Sequence, residues 1–226
     1  MARKPSTVSN PWLGISWSDP VASIDKVDLA KLPFIGKLQL NTLPEPFTGD
    51  PNSQVYCLNL NPGGKDELFE SVPAFKNSYF DITQKNLCHE LNEYMWFLLT
   101  EHAGYCWWRR ITNQLRNDLG RNPRMFVVEY FPYHSEGKLY FPDWLPSYEY
   151  SDELIRQAME EGKYILIMRY KEKWEERLKR IIGESRFSSY PKLFYMNTPR
   201  TPWFTYGNIS HRDGTKTGVK DLLSNF

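Results

Sequence analysis

The residues best suited to chemistry in this chain gather where apolar runs stop. Asn61-Pro62-Gly63-Gly64 closes the run "QVYCLNL" (54 to 60), and Tyr133-His134-Ser135 follows "RMFVVEYF" (124 to 131). Asn197 to Arg200 follows "KLFYM". An Asn amide such as that of Asn61 can donate and accept hydrogen bonds, so it can orient a ligand or a water, but it is no base at neutral pH. Gly63 and Gly64 carry no side chain and tolerate positive φ, which suits close backbone approach to a phosphate or a base; a tight strand-to-helix turn needs the same residues. His134 can supply a donor and Tyr133 a stacking face, while a hydrogen-bonded structural role for this histidine beside Tyr and Ser is the stronger reading. In "RTPWFTYGNISHRDGTK", Arg200, Arg212 and Lys216 alternate with Trp203, Phe204 and Tyr206. That pattern suits a single-strand or phosphate-binding surface, and it also suits a loop packed on the body. Glu129 sits inside an apolar strand, where it must either face a site or pair with a basic neighbour such as Arg169; the structural ion pair is the stronger reading. A nucleophilic triad is not supported, and no Gly-x-Ser-x-Gly elbow, Walker loop or dinucleotide glycine pattern is present.

The elements that must position these residues follow from periodicity. Residues 54 to 60, 124 to 131, "KYILIM" (163 to 168) and 192 to 197 are short, continuously apolar, β-rich runs, the pattern of strands buried on both faces. Between the first two, apolar residues at helical spacing from Gln84 to Leu99 and from Trp107 to Leu119 predict a helical crossover. "SDELIRQAMEEG" predicts a helix capped by Ser151 and ended by Gly162. Tyr170, Trp174, Leu178, Ile181 and Ile182 form one stripe of another helix, with Glu175/Lys179 and Glu176/Arg180 expected as pairs on its wet side. Strands alternating with helices imply an α/β fold: a three-layer α/β/α sandwich around a mainly parallel four-stranded sheet. Ligands of such sheets sit beyond the carboxyl ends of the strands, where the polar-proline turns lie. One domain over residues 1 to 226 is expected, with 1 to 50 as an irregular extension packed on it.

Composition limits the partners. The 226 residues carry 28 Lys and Arg against 27 Asp and Glu, a formal charge of +1, so no global field draws the chain to nucleic acid; a local basic patch remains compatible. Cys57, Cys88 and Cys106 are irregularly spaced, arguing against a disulfide framework or a zinc site, and neither metal nor cofactor is expected. "MARKPSTVSNPW" has no apolar leader core, and no run approaches the roughly 20 apolar residues of a membrane span. A cytoplasmic chain that avoids membranes is expected.

"LNLNPGG" followed by a helical segment resembles the first active-site motif of the uracil-DNA glycosylase superfamily, in particular its mismatch-specific branch. The order of the later elements is similar over roughly residues 54 to 210: "EYFPYHS", then "YILIMRYKEKWEERL", then "FYMNTPRTP". The resemblance implies a uracil-DNA glycosylase-like fold and a pocket for a flipped base. Asn61 would hold the water that attacks the sugar C1′, and Pro62, Gly63, Gly64, Tyr133, Ser135, Asn197 and Arg200 would contact substrate. The final motif departs from the family pattern. Asn197 and Pro199 are separated by an extra residue, Arg200 stands where a small residue would, and the base-polarising His is absent there, leaving His134 to supply a donor. The expectation is therefore a nucleobase-recognising protein that excises a damaged or mismatched base from DNA. The alternatives are a non-catalytic nucleotide or small-ligand binding protein of the same fold, or a protein-interaction module built on the aromatic loops.

Overall fold

The computed structural model describes residues 8–63, 72–135 and 140–226. Six described strands form one mixed sheet: β1 (Phe47–Gly49), β2 (Val55–Asn59), β3 (Phe126–Glu129), β4 (Tyr164–Ile167), β5 (Leu193–Met196) and β6 (Ile209–His211), in the order β1-β3-β2-β4-β5-β6. The apolar runs supply the four central strands, which are mutually parallel, with Asn59 opposite Glu129 and Leu58 opposite Ile167. Apart from half-buried Tyr164, every residue of these strands is buried, so both faces are covered.

The sheet is larger than the four strands expected, because β1 and β6 pair antiparallel along its edges. Each is three residues long, too short to show a period of two. Short edges also expose little unpaired backbone. β1 closes against β3 through Gly49, whose φ is +103° and whose position leaves no room for a side chain: a Cβ there would lie 2.2 Å from the Met125 carbonyl oxygen.

The connection from β2 to β3 contains α2 (Pro73–Leu87), α3 (Met95–Leu98), α4 (Ala103–Ile111) and α5 (Asn113–Leu119), following the short α1 (Lys26–Leu29) of the leading segment. The apolar stripe from Gln84 to Leu99 is thus not one helix. His89 adopts a left-handed φ of 60°, stacks on Phe47 at 4.6 Å and meets the Tyr150 hydroxyl at 2.7 Å. Leu87, Tyr94, Met95 and Leu99 still reach the core from separate pieces. From β3 the chain returns across β2 through α6 (Tyr148–Glu160) to β4, then through α7 (Lys171–Ile182) and α8 (Glu184–Ser189) to β5; α9 (Val219–Ser224) closes the chain. The direction of winding reverses at β2, so right-handed crossovers put α2–α5 and α6–α8 on opposite faces. The first turn outruns the sequence pattern in α6: it starts at Tyr148, leaving Ser151 buried inside the helix rather than capping it.

α7 buries Trp174, Leu178 and Ile182 as its spacing predicts, and Arg177 with them. The two expected surface pairs give way to other partners. Glu175 accepts from the Tyr195 hydroxyl at 2.6 Å, Lys179 pairs with Glu184 at 3.1 Å, Lys173 pairs with Glu176 at 3.2 Å, and Arg180 donates to the Asp143 carbonyl. The leading segment is built into the same apolar cluster through Trp12, Ile15, Ala22, Leu29, Leu38 and Leu43. No described helix is long and apolar enough to cross a membrane.

Candidate functional site

A cavity of about 270 Å³ opens at the carboxyl ends of β2, β3 and β4, beside the strand β2 at which the winding reverses. This is where open α/β sheets place ligands. β2 and the turn after it contribute Asn59, Asn61, Pro62 and Gly63; β3 contributes Glu129; the residue after Met168 at the end of β4 is Arg169; the segment before β1 adds Glu45. The crossover closes the other side with Trp96, Trp107 and Trp108, together with His102 and Gly104. Aromatic walls around a few polar groups are the usual make-up of a ligand pocket, here just under the roughly 300–1,000 Å³ range.

The wall is held by its own contacts. His102 precedes α4 and accepts from the Gly104 amide through Nδ1 at 2.9 Å, which requires the neutral ring with its proton on Nε2. Trp96 lies against that ring at 4.2 Å and Tyr79 stacks on it at 5.9 Å. A Cβ at position 104 would sit 3.0 Å from His102 Nδ1 and 3.1 Å from Trp96, so glycine permits the close packing. Trp107 and Trp108 meet edge to face, and Arg169 lays its guanidinium over Trp107 at 5.0 Å.

The polar floor is the adjacent pair Asn59 and Glu129, each more than nine-tenths buried. Asn59 Nδ2 donates to Glu129 Oε1 at 3.0 Å. The other oxygen of each, Asn59 Oδ1 and Glu129 Oε2, is buried without a partner among the described residues. Such orphans cost free energy unless a ligand satisfies them. Burial pushes the Glu129 carboxyl up to about 8; the Asn59 amide opposes the rise, Glu45 adds to it and Arg169 opposes it. Glu129 therefore carries a proton at neutral pH and presents an O–H beside the carbonyl of Asn59. The ion pair expected between Glu129 and Arg169 does not form: Arg169 turns to Trp107 and donates from Nε to the Pro199 carbonyl at 3.1 Å.

The predicted residues divide into groups. Asn61, Pro62 and Gly63 line the cavity, and Gly64 lies outside the described residues. Asn61 Nδ2 donates to Ser135 Oγ at 3.0 Å, and the Ser135 amide donates to the Gly63 carbonyl at 3.2 Å, so the turns after β2 and β3 are joined. His134 and Tyr133 do not line the cavity. His134 Nε2 lies 3.1 Å from Glu45 Oε1, which also accepts from the Tyr79 hydroxyl, so this histidine reaches the cavity only through Glu45. Tyr133 is buried, donating to Asp25 Oδ2 at 2.8 Å and receiving the Ala22 amide. Asn197 lies at a separate cavity, bonded to Ser210 and Gly207, while Arg200 is exposed. Glu45, Asn59, Trp96, His102, Trp107 and Trp108 escape sequence reasoning. One signal was present: Asn59 precedes Pro62, and Glu129 precedes Pro132, by the same three residues, so the two polar side chains stand at matching depths in neighbouring strands.

The described residues contain no group of His, Cys, Asp and Glu suited to a metal, and Cys57, Cys88 and Cys106 are free thiols. Comparison with protein-family models, with curated proteins and with solved structures finds no match.

Proposed function

We propose that the strand-end cavity binds a nucleobase and that the protein excises that base from nucleic acid by water attack at the sugar C1′. The observation that carries this reading is the pair of orphan oxygens, Asn59 Oδ1 and Glu129 Oε2, buried between tryptophan walls. A planar ring with an N–H next to a carbonyl or ring nitrogen satisfies both: the N–H donates to Asn59 and the acceptor takes the Glu129 proton. Stacking on indole faces favours the same ligands. The parallel order β3-β2-β4-β5 and the "LNLNPGG" turn support a three-layer, uracil-DNA glycosylase-like arrangement. The Asn61 amide supports the role the resemblance implies. Its N–H is taken by Ser135, leaving the amide oxygen to accept from a water and orient it.

A second reading, a non-catalytic nucleotide-binding protein, is favoured by His134, expected to supply a donor to the base, which lies outside the cavity and is spent on Glu45 in its lining. The test is incubation with single- and double-stranded oligonucleotides carrying uracil, hypoxanthine or a G·T or G·U mismatch, followed by alkali to reveal abasic sites. Strand breaks that Asn61→Ala and Glu129→Leu abolish are the expected result. Intact strands, with binding that Glu129→Leu alters, select the second reading; no binding at all overturns both.

A further inference from the structure

A second cavity, of about 390 Å³, lies at the carboxyl ends of β4 and β5 and along β6, next to the first. Its cations are Arg169, Lys171 and Arg212, with His211; the carboxylate in its lining is Glu172. His211 already faces Asp213 at 3.0 Å and the Pro191 carbonyl, and nearby Glu175 takes the Tyr195 hydroxyl. The three strong cations have no carboxylate partner among the described residues and rest instead on aromatic faces: Lys171 over Tyr195 at 4.3 Å, Arg212 over Phe187 at 5.0 Å and Arg169 over Trp107 at 5.0 Å. Two residues along α7, by contrast, Lys173 pairs with Asp143 at 3.0 Å, and Arg177 with Asp152 at 2.6 Å. Ring contacts leave a cation's charge uncompensated and its remaining N–H groups open to an anion. Burial moreover presses the Arg169 guanidinium below its ordinary pKa, a cost that a bound anion would offset.

Arg169 lines both cavities. A ligand with its ring against Trp107 and an anionic group a sugar's length away would engage this one side chain from both sides. Resting on the base-binding reading of the first cavity, we propose that Arg169, Lys171 and Arg212 form a phosphate subsite in the second, so that the ligand is a phosphorylated nucleoside rather than a free base. Mononucleotide and nucleic-acid strand share that chemistry.

The experiment is calorimetric titration of the full chain with uridine and inosine, their 5′- and 3′-monophosphates, trinucleotides centred on the same bases, and inorganic phosphate, at 50 and 200 mM salt (Debye lengths of ~14 and ~7 Å). Lys171→Gln and Arg212→Gln run beside the wild type. One of the monophosphates should bind at least about tenfold tighter than its nucleoside at low salt, with the advantage shrinking at high salt. Both variants should erase the advantage while nucleoside affinity stays put. A trinucleotide that binds tighter still names a strand as the source of the phosphate; equal binding names the mononucleotide. Nucleoside binding with no phosphate advantage, or an advantage that both variants keep, overturns the subsite and leaves the first cavity's reading standing. Inorganic phosphate bound through Lys171 and Arg212, with no nucleoside bound, overturns the base pocket and the shared ligand together.

Discussion

Replacing Glu129 by Gln should make the protein more stable, and increasingly so as pH rises. The carboxyl is taken from its ordinary 4.5 up to about 8, chiefly by burial. The folded protein therefore holds this proton more tightly than the unfolded chain does. Its contribution is fully present below pH 4.5 and is lost as pH rises through about 8, because the unfolded chain ionises first. At about 1.36 kcal/mol per pH unit, the full loss is on the order of 5 kcal/mol, and roughly 3 of that is already gone at pH 7. Gln keeps an acceptor for the Asn59 amide, places an N–H where Glu129 Oε2 carries its proton, and cannot ionise. Urea unfolding of both proteins at pH 5, 7 and 9, followed by tryptophan fluorescence, isolates the effect, since every other titrating group cancels in the difference. The variant should gain roughly 4 kcal/mol over the wild type between pH 5 and 9. A difference that stays constant within about 0.5 kcal/mol across that range refutes the argument, showing that the carboxyl is either hydrated or paired with a cation.

Tyr133→Phe should cost about 1–2 kcal/mol in the same unfolding assay, because it strips a buried Asp25 oxygen of its donor, and should leave nucleoside affinity unchanged; a loss of affinity would return Tyr133 to the site. Gly49→Ala should destabilise by at least about 3 kcal/mol, since its Cβ meets the Met125 carbonyl at 2.2 Å and its φ is left-handed, which a thermal melt will read directly. Arg177→Leu should cost roughly 3–5 kcal/mol, as the fully buried guanidinium bonds Asp152 at 2.6 Å and the carbonyls of Tyr130 and Tyr148; a change below about 1 kcal/mol would show that these acceptors find other partners. Trp107→Ala should weaken nucleoside binding about tenfold or more while leaving inorganic phosphate affinity near the wild-type value.

The parallel core was legible because its strands are buried on both faces, and continuous runs such as "VYCLN" and "FVVE" have no other explanation. The edges were not. Phe47–Gly49 and Ile209–His211 are strands only because a neighbour pairs with them, which no local pattern encodes. The place of the site followed from the proline turns, and Asn61 to Gly63 do reach the cavity. His134 and Tyr133 were misleading for a specific reason: their buried partners, Glu45 and Asp25, come from the leading segment about a hundred residues away, whose aperiodic sequence shows no sign of them. Trp96, Trp107 and Trp108 fall in the stretches whose spacing predicts a helical crossover, and Trp96 and Trp108 are almost fully buried; what the sequence hides is that the core there has an opening.

The edge strand β1 also bears on how the site comes into being. Phe47 pairs with Val128, and two residues earlier the Glu45 amide donates to the Pro132 carbonyl at 2.9 Å. Pairing of β2 with β3 brings these partners close, since only the short link from Gly49 to Val55 then separates β1 from its place on β3. The segment docks at the least entropic cost once the central strands have paired. Docking of this segment therefore belongs late in folding, after the central strands have condensed. Until then the cavity lacks Glu45, Tyr79 lacks its acceptor and His134 lacks its partner. In a stopped-flow refolding experiment, ligand affinity should emerge in a slower phase than the bulk of the secondary structure, and a chain starting at residue 50 should collapse without acquiring it. The leading segment thus acts as the last wall of the pocket, making binding competence a report on complete folding.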